Sequence, residues 1–125
     1  MKLAPLALAA AVAALAPAAA TAQDAAAGQK VFNRCRACHV VDQEQNRVGP
    51  HLVGVIGRDV AAVDGYNYSS AMTEWGEGKV WDDATMAEYL ADPRGVVKGT
   101  KMAFAGLKKE QEIKDVIAYL ENPGS

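Results

Sequence analysis

Cys35-Arg36-Ala37-Cys38-His39 is the stretch whose reading decides the rest of this 125-residue chain. It has the form C-x-x-C-H, the attachment signature of a c-type haem. Two thiols three positions apart lie on nearly one side of a helical turn. Each can form a thioether to one vinyl group of a single porphyrin. The histidine that follows directs its imidazole at the iron, for which a neutral imidazole is a good donor. Five residues leave other readings open. Cys35 and Cys38 also suit a disulfide or a thioredoxin-like redox pair. With His39 and the second histidine, His51, they make a two-Cys, two-His zinc set. One Cys, both His and a Met would make a copper site.

Upstream, Met1 to Ala22 has the pattern of a secretory signal. Lys2 supplies the positive end, Leu3 to Leu15 an apolar run, and Ala20-Thr21-Ala22 a small-x-small cleavage site before Gln23. The run is short for a membrane span. Cleavage is expected to leave residues 23–125, one small domain with no room for a second core. The chain holds 13 Lys and Arg against 15 Asp and Glu. Mild acidity argues against a nucleic-acid binder, which needs a basic surface. No later stretch is apolar enough to span a bilayer. Two cysteines three apart close too small a loop to stabilise a fold. A large apolar cofactor would instead supply surface for side chains to pack around.

Downstream, three helices are expected. Asp24 can cap the first, running to about Cys38, with Gly28 an odd choice in its middle. Asp82 or Asp83 can cap the second, which ends at Asp92-Pro93. The third runs from about Lys109 to Glu121 with Ile113, Val116, Ile117 and Leu120 as its apolar stripe. Val40 to Tyr68 and Arg94 to Leu107 read as loops punctuated by glycine, and Met72 falls in a polar loop. No strand pattern is convincing. The fold class is all-α, with loops long enough to imply something to wrap.

A haem held by histidine on one side needs an account of the other. An open position allows oxygen or peroxide chemistry, and a filled one favours electron transfer. Met102 stands in Gly99-Thr100-Lys101-Met102-Ala103-Phe104, off any helical stripe. Met86 looks like helix core, and Met72 is an unsupported rival.

Gly28-Gln29-Lys30-Val31-Phe32, the Cys35–His39 motif and Gly49-Pro50-His51-Leu52-Val53-Gly54-Val55-Ile56-Gly57-Arg58 resemble the opening half of class I cytochromes c. Trp81, Met86 to Leu90, Asp92-Pro93, Gly99 to Gly106 and Ile117-Ala118-Tyr119-Leu120 resemble the closing half. The resemblance covers nearly all of residues 23–125. It extends to the bacterial periplasmic cytochromes c2, which the signal pattern favours, and to the mitochondrial proteins. It implies a cytochrome c fold, with three main helices and long loops around one covalent haem. It implies thioethers at Cys35 and Cys38 and axial ligands His39 and Met102. Pro50 would accept a bond from His39. Arg58, Tyr68, Trp81 and Thr100 would serve the propionates, and Tyr89 the methionine sulfur or a nearby water. Leu52, Leu90, Phe104 and Leu107 would wall off water. Gly28 and Tyr119 would mark a helix crossing. Lys98 replaces the proline of the mitochondrial pattern, and Trp75 has no counterpart there.

The implied function is one-electron transfer, without catalysis, in the periplasm. A monomer would dock through Lys30, Arg34, Lys98, Lys101, Lys108 and Lys109 onto acidic patches of membrane complexes. Those complexes would be a quinol-cytochrome c reductase, a terminal oxidase or a photosynthetic reaction centre. A haem enzyme with a labile sixth site is the rival.

Overall fold

The computed structural model describes residues 1–5, 7–11 and 23–124. The expected cleavage site at residues 20–22 lies outside the described residues, and so do residues 6 and 12–15 of the apolar run before it. Among the described residues five helices follow in order: α1 (Ala25–Phe32), α2 (Ser70–Gly76), α3 (Asp83–Ala91), α4 (Pro93–Val96) and α5 (Glu110–Glu121). Among the described residues the only extended pairing is one isolated antiparallel bridge, Asp59 to Val80. The chain is all-α, as expected.

The first and last helices form the frame. The Asp24 carboxylate accepts from the Ala26 and Ala27 N–H groups at 3.0 and 3.1 Å, closing the start of α1. Its own N–H donates to Asp115 on α5 at 3.0 Å. Apolar residues of α5 meet Val31 and Phe32 of α1, and the Phe32 and Tyr119 rings lie 5.2 Å apart. The helices cross at Gly28. A Cβ there would stand 1.9 Å from the Asp115 carbonyl oxygen and 2.9 Å from the Tyr119 Cβ. Glycine costs α1 some helical stability and in return lets two backbones touch.

Three sequence expectations need correction. First, α1 ends at Phe32 rather than near Cys38. Asn33, Arg34 and Cys35 each donate three residues back, a tighter winding than an α-helix. The Cys38 and His39 amides then both donate to the Cys35 carbonyl. The cysteine motif is thus its own turn. Second, the stretch holding Met72 and Trp75 is helical, not a loop. Ser69 caps it by accepting from the Met72 N–H at 3.0 Å, and Ala71, Met72 and Trp75 make a short apolar face against the core. Seven residues are too few for a periodic signal to stand out. Third, one helical turn, α4, interrupts the expected loop after Asp92, with Asp92 as cap and Pro93 at its first position.

Two straps hold the loops to this frame. Gly57 and Val60 donate to the carbonyls of Trp81 and Lys79, and Trp81 donates to Arg58. The Arg58 and Trp81 backbones are thereby side by side. Leu107 donates to the Leu90 carbonyl, where Gly106 lies so close that a Cβ would meet the Ala91 oxygen at 2.4 Å.

Replacing Gly28 by Ala should destabilise the loaded protein by about 2 kcal/mol in denaturant titration, because overpacking at a backbone contact outweighs the propensity gain. Bonds from the Thr85 N–H and the Thr85 side chain hold the Asp82 carboxyl below its ordinary value. This contribution is present above the ordinary value and lost as pH falls through the lowered one. The midpoint gap between the native protein and Asp82→Ala, clear at neutral pH, should therefore close in strong acid.

Candidate haem site

One large apolar cavity, of about 240 Å³, lies between the frame and the loops. The Cys35–His39 turn forms one part of its wall, and Gly49, Pro50 and Leu52 continue it. Arg58, Tyr68, Trp81, Tyr89 and Leu90 follow, and Thr100 to Phe104 with Leu107 complete it. Every residue expected from the sequence to contact the haem therefore faces one space.

Both thiols are free and half-buried. Burial raises the Cys35 thiol above its ordinary value, with Arg34 opposing. His39 is more constrained. Its Nδ1 lies 2.7 Å from the Pro50 carbonyl oxygen. A carbonyl only accepts, so Nδ1 carries the proton and Nε2 keeps its lone pair for a ligand bond. Burial lowers the imidazole's proton affinity, the Pro50 bond opposes this, and the Arg58 charge adds to the lowering. The neutral form that binds metal is the favoured one. Gly49 closes against the ring, where a Cβ would come within 2.3 Å of His39 Cε1.

Arg58 lies across the cavity wall. One terminal nitrogen donates to the His51 and Val53 carbonyls, each at 3.1 Å. Its Nε is buried with no partner in the protein. A buried guanidinium donor left unpaired is costly and needs an acceptor. The Tyr68 hydroxyl accepts from the Val63 N–H at 3.0 Å, which leaves its proton to donate. Burial raises the Tyr68 value and keeps that proton on.

The methionine segment differs in detail from expectation. Tyr89 and Thr100 share a hydrogen bond of 2.8 Å between their hydroxyls, and the Thr100 oxygen accepts from the Met102 N–H at 3.3 Å. Tyr89 thus reaches the Met102 backbone through Thr100, rather than bonding the sulfur. Met102 is half-buried in the wall, and so is Met72 of α2. The sequence reading placed Met72 in a polar loop, as an unsupported rival ligand; the signal that marks it as a wall residue is a seven-residue helix after a serine cap.

His51 is half-buried. It lines a second, polar cavity with Glu44, Asn46 and Asp64, separate from the cysteine pair. That separates the four residues of a zinc set. Among the described residues no group of three or more His, Cys, Asp or Glu could hold a metal ion.

Of the six basic residues expected to dock, Arg34 and Lys101 line the cavity and all six are exposed. Arg34 pairs with Glu112 at 2.8 Å. Lys101 donates to the Asn67 carbonyl at 2.8 Å, and Lys108 to the Ala91 and Ala105 carbonyls at 3.2 and 3.1 Å.

Two thiols, an imidazole with one nitrogen committed, a thioether and an orphaned guanidinium donor, all on one apolar cavity, fit a covalently attached haem. The comparisons agree. The family model for cytochrome c matches residues 25–123. Cytochrome c type-1 of Ascaris suum is 48% identical over 99 residues, covering 78% of this chain and 87% of that protein. Cytochrome c2 of Blastochloris viridis is 44% identical over 110 residues, covering 87% and 84%. The solved structure of cytochrome cH from Methylobacterium extorquens superposes with a TM-score of 0.72 at 44% identity, covering 78% of this chain and 97% of that one. The chain belongs to the cytochrome c family, whose members carry one covalently bound haem c.

Proposed function

We propose that this protein carries single electrons between membrane redox complexes, through a haem c tethered at Cys35 and Cys38 and held axially by His39 and Met102. As a cytochrome c it is an electron carrier rather than an enzyme. The observation that supports the ligand assignment best is the His39 Nδ1 to Pro50 bond, which commits one ring nitrogen and leaves the other to the metal. Bound here, haem c supplies an iron that alternates between ferrous and ferric states.

The chain's own residues do the rest. Pro50 fixes the imidazole tautomer and makes it a stronger donor. A neutral thioether at Met102 favours the reduced metal and raises the potential. Arg58 Nε, the Tyr68 hydroxyl and Trp81 offer donors to the propionates, offsetting the cost of burying a carboxylate. Thr100, which takes a bond from the Met102 amide, has a hydroxyl to share with the same groups. Leu52, Leu90, Phe104 and Leu107 exclude water. With His39 and Met102 both held by the surrounding chain, little rearrangement of the ligand residues would accompany a change of oxidation state, which would keep the transfer fast.

Lys30, Arg34, Lys98, Lys101, Lys108 and Lys109 form the docking face for acidic partners: a quinol-cytochrome c reductase, a terminal oxidase or a photosynthetic reaction centre. The carrier works as a monomer in the periplasm, with residues 1–22 removed on export. Among the described residues no helix is long and apolar enough to cross a membrane.

Met102→Ala should abolish the weak thioether–ferric absorption near the red end of the visible spectrum, lower the potential, and let the ferrous protein bind carbon monoxide. Loss of that band in Met72→Ala, with its survival in Met102→Ala, would transfer the ligand role to Met72. Carbon monoxide binding by the unaltered ferrous protein would favour the enzymatic reading instead. Electron exchange with an acidic partner complex should slow as salt is added, and Lys98→Glu should slow it roughly three- to tenfold at low ionic strength.

A further inference from the structure

Trp75 has no part in the roles assigned above, yet it sits in the aromatic cluster behind the cavity. On α2 its ring lies 5.7 Å from Trp81 and 5.8 Å from Tyr89, and those two rings lie 5.3 Å from each other. Each ring touches the other two. Trp81 and Tyr89 line the cavity, and Trp75 stands behind them. The Lys79 ammonium is 5.2 Å from the Trp75 ring centroid.

Tyr89 is the member that reaches the methionine segment. It is 5% exposed, so its ring goes where its neighbours hold it. Burial raises its proton affinity, so the hydroxyl stays a donor. That hydroxyl meets Thr100 at 2.8 Å, and Thr100 accepts the Met102 amide. A displaced Tyr89 ring would therefore move the group that pins the Met102 backbone.

The helix that presents Trp75 is anchored on both sides of it. Gly76 packs so tightly on Val60 that a Cβ would lie 2.6 Å from its Cγ1. Ser69 caps the start. Ala71 faces Gly99, three residues before Met102, at 3.3 Å from where a Cβ would be. Lys101 Nζ donates to Asn67, just ahead of the helix, at 2.8 Å. The methionine segment thus meets α2 directly at Ala71, the chain just ahead of α2 at Asn67, and α2 again through Tyr89 and Trp75.

We propose that Trp75 is a positioning residue for the sixth ligand. It braces the Tyr89 ring, so that Tyr89 through Thr100 holds the Met102 segment closed over the cavity. The inference rests on Met102 being the ligand. The brace itself is a statement about the Met102 backbone and can be read separately.

The test measures hydrogen exchange at the Met102 amide, the thioether–ferric band and the reduction potential in the haem-loaded protein. Trp75→Leu keeps bulk but loses the aromatic faces, and Trp75→Phe keeps a smaller ring. Ile113→Val on α5, outside the cavity wall, reports ordinary loss of stability. Trp75→Leu should speed Met102 exchange roughly three- to tenfold, the scale of a lost aromatic pair. It should also weaken the band and lower the potential. Trp75→Phe should fall between it and the unaltered protein. Ile113→Val should leave the band and potential unchanged. The proposal is overturned if no Trp75 variant that folds moves Met102 exchange beyond the Ile113→Val level. It is overturned equally if exchange rises alike at Met102 and across α5. If Met102→Ala keeps the band while Trp75→Leu still speeds Met102 exchange, the ligand assignment fails and the brace stands.

Discussion

The 2.7 Å bond between His39 Nδ1 and the Pro50 carbonyl is the contact on which the site depends. It joins the cysteine turn to the Gly49–Leu52 loop, beside two backbone bonds from the Gly49 and Leu52 N–H groups to the Cys38 and Val40 carbonyls. It decides the tautomer, because the oxygen can only accept. It also accounts for the glycine beside the proline, since any side chain at position 49 would occupy the space of the ring. Proline suits the partner role for a related reason. It has no N–H of its own to satisfy, and its fixed φ keeps the carbonyl aimed.

That local arrangement is held in place by the crossing of α1 and α5. The Asp115 carboxylate accepts from the Asp24 amide and from Gln111 Nε2 at 2.8 Å, so a buried acid is satisfied at the same junction where the backbones touch. Phe32, one helix end away from the cysteines, is 1% exposed. Its burial against Tyr119 carries the rigidity of the crossing into the motif turn. The loops across the cavity gain their order from backbone straps and short capped helices as well as from loop residues such as Val55, Val60 and Leu107 that reach the core.

Charge is distributed to match. Five basic residues and no acid lie between Arg94 and Lys109, while six acids lie between Thr73 and Asp92. Several of the basic groups are tied down within the molecule, Arg34 to Glu112 and Lys101 and Lys108 to carbonyls. Tethering reduces the entropy a side chain loses on meeting a partner. It also ties the segment carrying Met102 to the chain ahead of α2, through Lys101 and Asn67.

Much of this was legible along the chain. The cysteine motif, the glycine at the crossing, the α5 stripe and the capped α3 are local patterns, and local patterns survive whatever the rest of the chain does. The resemblance that runs from Gly28 to Leu120 gave the order of the wall residues. Three things were not legible. The end of α1 depends on i→i−3 bonds that compete closely with continued helix. The helix bearing Met72 and Trp75 is too short to declare a period and is held by contacts with Val60, Trp81 and Tyr89, remote in sequence. The hydroxyl path from Tyr89 through Thr100 to Met102 depends on distances that only packing sets. The sequence by itself determined which chemical groups are present and roughly where α1, α3 and α5 lie. Tertiary structure alone decided which of those groups meet, because hydrogen bonds and ring contacts act over a few ångströms and separation along the chain says nothing about that.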